Sequence, residues 1–387
     1  MQVRVLYSFP HPLGQPGIGT TALNQVKGLA GQGVEVRVYC PSCTTDPGPG
    51  VDVVEMMTVA GRRVPLRSIG AERAWRLHDR RVAHRVGLKG RGPDVVHTWP
   101  LGALATLRAA RLAGFLSARE VPNTHTAHAY EEAAREAVLT SVGPERGDSH
   151  TSSTTRLARE EAEYEAAQTL LVPSDAVAES FLCRNVPETR LGRHQYGYDP
   201  QRFYPAAAPR EGFSAIFVGR GEPRKGLHYA LEAWRDSGAA RLGSLTVYGA
   251  LSSGYRDRVQ ALLDLPGVRV AGFSDDVPGA MRSADVLLLP SVEEGSALVG
   301  YEAQGSGCVL LASSAAGARI RHGEDGLVHA PRDVVTLASQ LRAVATDPLL
   351  LGRLRSASID AARDLTWTHA ARRLIEVYEE GLKRQGP

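Results

Sequence analysis

Two short stretches carry residue types that suit a ligand built from phosphates and hydroxyls. The first is "RGEPRKG", residues 220–226, in which Arg220, Arg224 and Lys225 follow the apolar run "SAIFVG" and precede the helical "LHYALEAW". A strand, a cationic loop and a helix start suit an anion, because side-chain charge and free backbone NH groups converge on it. Only Lys27, Lys89, Lys225 and Lys383 are lysines among the 45 basic residues, so Lys225 is an uncommon choice for this chain. Its compact ammonium acts as a point charge, which is useful against phosphate. The plainer alternative is a solvated surface loop with incidental charge. The second stretch is "SVEEGSALVGYEAQGSG", residues 291–307, with Glu293, Glu294 and Glu302 among small residues. A helix beginning near Leu298 puts the NH groups of Ser296, Ala297 and Leu298 at its amino end, where they can hold a phosphate, and small side chains let the ligand approach. Glu294 and Glu302 then flank that anion. Carboxylates repel phosphate, so their natural partners are hydroxyl pairs. A diphosphate with a polyol at each end, a nucleotide-sugar, meets all three demands. The structural alternative makes Glu294 a helix cap and Glu302 a solvated helix residue.

The elements that must position these residues alternate between short apolar strands and helix-length segments, the pattern of parallel sheets wrapped by helices. Strands are expected at "QVRVLYSF", "VEVRVYC", "DVVEMMTV", "DVVHTW", "EVPNTH" and "TLLVPS", then at "SAIFVG", "SLTVYG", "VRVAGF", "DVLLLP", "CVLLAS" and "GLVHA". That makes two doubly wound units, in keeping with a length of 387 residues. The join falls near residues 198–212, "YDPQRFYPAAAPREG", and the closing "WTHAARRLIEVYEEGL" is helical by its apolar spacing. The biased stretch "GDSHTSSTT", residues 147–155, reads as a mobile loop. In open sheets of this kind ligands sit beyond the carboxyl ends of the strands, where both stretches lie.

Composition narrows the classes. A 43% hydrophobic and 22% charged chain is globular, and a net charge of +3 argues against nucleic-acid binding through bulk charge. The start "MQVRVLYSFPHPLG" lacks a signal-type apolar core and no run approaches a membrane span, so a cytoplasmic protein is expected. Cys40 and Cys43 form "CPSC", but no second pair completes a zinc site, and two reduced thiols are the reading.

The stretches "FVGRGEPRKGLHYALEAW", "LTVYGA", "VRVAGFSDDVPGAMRSADVLLLPSVEEGSALVGYEAQGSGCVLLAS" and "TWTHAARRLIEVYEE" resemble the retaining GT-B glycosyltransferases of family 4, or group 1 glycosyltransferases. In the first half "PHPLGQPGIGTTALNQVKGLAGQGVEVRVYC", "PDVVHTW", "LLVPSDAVAESFL" and "YGYDPQRFYP" are similar to that family's first strand, glycine loop and helix, its mid-domain strand and its link. The resemblance implies an α/β GT-B fold, two Rossmann-like domains facing a central cleft. An acceptor domain spans 1–200, a donor domain spans 201–365, and the C-terminal helix, about 366–387, packs back onto the first. It implies transfer of a sugar from a nucleotide-diphosphate sugar to an acceptor hydroxyl with retained configuration, and without a cofactor or a required metal. Residue by residue, Arg220 and Lys225 are expected on the donor diphosphate and Glu294 on the transferred sugar. The NH groups of Ser296, Ala297 and Leu298 are expected on phosphates and sugar, Glu302 on the ribose diol, and the loop at Gly272 and Phe273 beside the base. Gly17 and Gly19 are expected in the first glycine loop, across the cleft from the donor. His125, in "NTHTAH", matches the histidine that meets donor sugar and acceptor, with His128 three residues on as the alternative. His97 is read as a packed residue.

The chain departs from the family pattern at Ser296 and Ala297, where a glycine or aromatic residue is usual, and at Tyr196, where asparagine is usual; both bear on sugar preference. "GIGTTA" lacks the third glycine of a dinucleotide fingerprint, which weighs against a dehydrogenase. A glycoside hydrolase using Glu294 and Glu302 leaves Arg220 and Lys225 without a task. A catalytically inactive nucleotide-sugar-binding partner subunit is the other alternative. The acceptor, a small molecule, glycan or lipid, is the open question. Residues 62–91 hold ten basic residues (Arg62, Arg63, Arg67, Arg73, Arg76, Arg80, Arg81, Arg85, Lys89, Arg91) against Glu72 and Asp79. On a helix from Ala71 to Lys89 an apolar stripe of Ala71, Trp75, Val82 and Val86 would run beside them. That pattern suits peripheral contact with an anionic membrane, or a helix packed on the sheet with a solvated arginine face.

Overall fold

The computed structural model describes residues 3–59, 62–63, 70–87, 92–145, 147–206 and 212–385. It divides into two compact units, one of Met1–Pro122, Ser153–Tyr196 and Trp367–Pro387, the other of Asn123–Ser152 and Gly197–Thr366. The segment Asn123–Ser152 thus lies with the second unit, although the sequence places it inside the first domain.

The first unit contains β1 (Arg4–Ser8), β2 (Glu35–Cys40), β3 (Val51–Glu55), a hairpin of β4 (Thr58–Val59) and β5 (Arg62–Arg63), then β6 (Val95–Thr98), β7 (Leu116–Glu120), β8 (Thr169–Val172) and β9 (Leu191–Arg193). Seven of these form a parallel sheet in the order β3-β2-β1-β6-β7-β8-β9. The strands "VVHT" and "TLLV" are buried throughout, apolar residues predominating, as in a parallel sheet covered on both faces. Leu374, Val377 and Tyr378 of the helix Trp367–Gln385 enter the same core as Val5, Val36, Val95 and Leu171. Gly28 lets that helix approach: a Cβ there would stand 2.9 Å from the Ala371 methyl.

"EVPNTH" is not a strand. The strand is "LSARE", which ends at Glu120, and charge hid it. Arg119 is fully buried, its Nη2 3.0 Å from Glu160 and 3.1 Å from Glu163 and its guanidinium 4.3 Å over the Tyr164 ring. Glu163 also accepts from the backbone NH groups of Leu101 (3.0 Å) and Ala103 (3.2 Å). Glu120 gathers His97 (3.2 Å), His194 (3.0 Å), the Tyr196 hydroxyl (2.9 Å) and Gln25 (3.1 Å), while His97 Nδ1 meets the Tyr378 hydroxyl at 2.6 Å. The tyrosine at 196 is thus a donor to a buried carboxylate.

The basic segment folds as the helix Ala71–Val86. Ala74, His78, Asp79, Val82 and Val86 are its buried residues, so Val82 and Val86 face inward as expected, whereas Ala71 is exposed and Trp75 half-buried, Ala74 and His78 taking their place. Asp79 is drawn inward because it caps the NH groups of Ala105 and Thr106, both at 2.9 Å. Arg73, Arg76, Arg80 and Arg85 face solvent. Arg67, Lys89 and Arg91 lie outside the described residues, as do residues 207–211 of the expected join. Among the described residues no single helix is long and apolar enough to cross a membrane.

The second unit contains β10 (Phe213–Val218), β11 (Gly243–Tyr248), β12 (Val268–Gly272), β13 (Val286–Leu289), β14 (Val309–Ser313) and β15 (Gly326–His329), in the parallel order β12-β11-β10-β13-β14-β15. All six fall on expected strands. The core packs Phe217, Leu231, Trp234, Leu245, Leu288, Leu311 and Leu341. The helix Thr126–Thr140 is held on this unit by a polar clasp: Glu136 accepts from Tyr229 (3.2 Å) and Arg332 (2.7 Å), and Arg332 also reaches Glu132 at 2.5 Å. Arg332 adopts φ 70°, an uncommon conformation for a non-glycine residue.

Candidate functional site

In the second unit the order of strands reverses between β10 and β13, and the loops leaving these two strands carry both sequence stretches. Neighbouring strands whose crossovers run in opposite directions leave an opening at their carboxyl ends. The loop after β10 closes in the single turn Pro223–Lys225, capped by Gly226 at φ 69°. A Cβ at position 226 would lie 2.3 Å from the Pro290 carbonyl oxygen, so glycine is what lets the loops after β10 and β13 meet. They are then stitched by the Val292 NH donating to the Arg224 carbonyl at 2.9 Å.

This approach brings Lys225 Nζ directly onto Glu294 Oε1, with Arg224 Nη1 3.5 Å from Glu294 Oε2. Burial, reinforced by repulsion from Arg224, lowers the Lys225 pKa from the usual lysine range, against the pull of Glu222 and Glu293. A diphosphate entering here would favour its charged form.

Arg220 does not face open space. It pairs with Glu145, with Asp148 at 3.1 Å and with Glu222 at 3.6 Å. A ring of charge continues from Asp148 to His150 (3.1 Å), Glu293 (3.1 Å), Arg224 (3.3 Å) and Glu222 (2.9 Å), then back to Arg220. The stretch 147–155, expected to be a mobile loop, therefore carries a buried residue, His150, tied at both ring nitrogens. Neutral imidazole has one NH, so satisfying both carboxylates requires the imidazolium. Burial would lower the His150 pKa, but hydrogen bonds to Asp148 and Glu293 raise it above the ordinary value. Most of the ring and the helix Thr126–Thr140 line a small open cleft that also includes Pro223 and Ser252. Glu145 and Asp148 occupy the guanidinium of Arg220, the residue expected on the diphosphate. The variant Glu145→Gln/Asp148→Asn is expected to bind nucleoside diphosphate about tenfold more tightly, because two competing carboxylates are gone. Calorimetric titration checks this; unchanged or weaker affinity would show that they do not compete.

The helix tip lies where expected, at Leu298–Gly305 with Ala297 as its cap residue. Its donors are less open than the sequence suggests. The Ala297 NH points to the Ala316 carbonyl at 3.4 Å, and the Ser296 hydroxyl is engaged with Tyr301 (2.7 Å) and Gly317 (3.3 Å). The serine at 296 is thus a buried brace. Glu302 sits in the second turn of this helix, and burial lifts its pKa to about 7 against the opposing field of Arg202. An acid raised this way is protonated below about pH 7, where it loses half of its acceptor capacity for a diol. Donor affinity of the wild type relative to Glu302→Gln is expected to rise several-fold between about pH 6 and pH 8, a comparison in which the opposing loss of charge on Lys225 cancels. A pH series of donor titrations reads it directly; an equal slope in the variant would remove Glu302 from the site.

Gly272 ends β12 at φ 71° and the following Phe273 is 82% exposed, an aromatic face at the same carboxyl edge of the sheet. His125 is buried at the tip of the helix Thr126–Thr140, where its Nδ1 accepts from the Ala127 NH at 3.2 Å; the neutral ring therefore carries its proton on Nε2. His128 lies inside the helix, half-buried. Gly17 and Gly19 belong to the first unit. Gly17 caps the helix Ile18–Gly31 at φ 87°, and a Cβ on Gly19 would lie 2.8 Å from the Pro12 carbonyl oxygen. In the second unit, then, the structure joins Arg220, Arg224, Lys225 and Glu294 through a chain of ion pairs that includes Glu222, and sets His125 beside Thr124, which bonds Glu293.

Two family models match the chain. Residues 16–202 match "Glycosyltransferase Family 4" and residues 212–347 match "Glycosyl transferases group 1". The chain belongs to the group 1, family 4 glycosyltransferases. Among curated relatives of this glycosyltransferase, the D-inositol 3-phosphate glycosyltransferase of Salinispora arenicola (strain CNS-205) is 26% identical over 434 residues, covering 100% of this chain and 93% of the relative. That of Arthrobacter sp. (strain FB24) is 27% identical over 420 residues, covering 95% and 92%. The fold is shared with solved structures. Sucrose-phosphate synthase from Thermosynechococcus elongatus has TM-score 0.68 at 20% identity, covering 98% of this chain and 99% of that one. Anabaena Alr3699/HepE in complex with UDP-glucose has TM-score 0.65 at 15% identity, covering 98% and 100%. The α/β architecture of two parallel sheets is that of the GT-B glycosyltransferases.

Sequence reading of this glycosyltransferase passed over Thr124, Glu145, Asp148, His150 and the task of Glu293. The doubled glutamate at 293–294 was the available signal; the acidic residues around His150 lie in a stretch whose composition reads only as loop.

Proposed function

We propose that this glycosyltransferase moves a sugar from a nucleotide-diphosphate sugar to an acceptor hydroxyl with retention of anomeric configuration. The observation that carries this is the meeting of Lys225, Arg224 and Glu294 at the strand-order reversal of the second unit. Cleavage of the sugar–phosphate bond leaves charge on the departing diphosphate. Lys225, Arg220 and the Leu298 helix tip would stabilise that charge, an effect worth several kcal/mol in preorganised sites. Glu294 would grip the sugar hydroxyls and Glu302 the ribose diol. The acceptor hydroxyl attacks on the face the diphosphate leaves, and the departing phosphate takes its proton. No metal takes part in this scheme.

The relatives point to a phosphorylated cyclitol as a first acceptor to try, beside simple sugars and lipids. Release of nucleoside diphosphate from UDP-, GDP- and ADP-sugars with each acceptor tests the activity, NMR of the product reads the anomeric configuration, and an EDTA arm should leave the rate unchanged. Folded protein that neither releases nor binds any nucleoside diphosphate would overturn the proposal. The exposed arginines of the helix Ala71–Val86 are the basis for peripheral contact with a lipid surface. Sedimentation with anionic liposomes at low and raised salt tests it, and a lack of salt-sensitive binding removes it.

A further inference from the structure

Glu293 has no part in the scheme above, although it is 0% exposed and uses both carboxylate oxygens. Its Oε1 accepts from the Thr124 hydroxyl (2.6 Å) and the Thr124 NH (3.3 Å). Its Oε2 faces His150 Nε2 (3.1 Å) and Arg224 Nη1 (3.3 Å), and Arg224 Nη1 also donates to the Glu293 carbonyl at 2.7 Å. One side chain thus ties together three segments that lie 69, 143 and 169 positions before it in sequence. Burial would raise its pKa, but the hydrogen bond from His150 and the field of Arg224 hold it well below the usual carboxylate range.

Two of those segments adjoin residues of interest: His125, which the family resemblance sets at donor sugar and acceptor, and Lys225, which the scheme puts on the diphosphate. Thr124 immediately precedes His125, whose ring is already fixed on one side by the Ala127 NH. Arg224 immediately precedes Lys225. We propose that Glu293 is a positioning residue: by holding Thr124 and Arg224 at once, it sets the His125 ring and the Lys225 ammonium at a defined separation for transfer. This rests on the proposed glycosyltransferase reaction. A charged buried group, not an apolar one, serves this purpose because each of its partners loses a hydrogen bond if it moves. A misplacement of about 1 Å at a reacting group costs roughly a hundredfold in rate.

Glu293→Gln keeps the size of the side chain but presents an NH2 group where His150 and Arg224 already donate. In the full chain it is expected to lower kcat roughly ten- to a hundredfold while donor KM moves less than about threefold. Thr124→Val should reproduce part of the loss, Thr124→Ser should restore it, and Glu293→Gln/Thr124→Val should be no worse than Glu293→Gln alone. If Glu293→Gln fails to fold, the Thr124 pair carries the test. The ring Cε1–H signal of His125, assigned with His125→Gln, gives a readout that does not need turnover: it should shift in Glu293→Gln and in Thr124→Val. A wild-type chain inactive on every donor would count against the glycosyltransferase reaction and leave this NMR comparison to decide the positioning role. Unchanged kcat in folded Glu293→Gln, fully additive losses, or an unmoved His125 signal would overturn the proposal.

Discussion

Lys225→Ala is expected to lower turnover of the donor by roughly a hundred- to a thousandfold, the effect of removing one preorganised donor from a developing anion. The ammonium stands on Glu294 at the point where the loops after β10 and β13 meet, so its loss removes a charge from the diphosphate and also the counter-ion from a nearly buried carboxylate. Arg224, 3.5 Å from Glu294, remains and limits the structural damage. Lys225→Arg is expected to recover little, since a planar guanidinium cannot occupy a site shaped around a point charge. Steady-state release of nucleoside diphosphate, with thermal melting as the control for folding, checks both variants. A loss below about threefold in folded Lys225→Ala would place the diphosphate elsewhere.

Arg119→Ala is expected to destabilise the first unit by about 3–5 kcal/mol, because it strands Glu160 and Glu163 as buried carboxylates without their cation. Side-chain exposures of 0% for Arg119 and Glu163 and 5% for Glu160 leave water little access to either group. Glu163 cannot turn outward without releasing the NH groups of Leu101 and Ala103. Urea unfolding followed by near-ultraviolet signals from Trp99 in this unit's core would measure the change. A difference below about 1 kcal/mol would mean that the carboxylates find another partner or take up protons at little cost.

Legibility from sequence followed burial. The six strands β10 to β15 are short, mostly apolar runs between helix-length segments, as a parallel sheet covered by helices favours, and that alternation located them. Strand β7 was misplaced for the converse reason: Ser117, Arg119 and Glu120 are buried polar residues, and their partners Gln168, Glu160, Glu163 and His194 lie 41 to 74 positions away.

The cationic turn at 220–226 and the helix tip at Leu298 were written locally, in a strand–loop–helix order that short-range sterics and capping enforce, and so was the likeness to the glycosyltransferases. Packing settled the rest. That Asn123–Ser152 sits with the second unit depends on Glu132 and Glu136 meeting Arg332, 200 and 196 positions on, and that Arg220 faces Glu145 and Asp148 depends on pairs 75 and 72 apart. Charges on exposed-looking loops acquire a partner only once the chain has closed, because Coulomb attraction and hydrogen bonding act through space and carry no mark of the sequence distance they bridge.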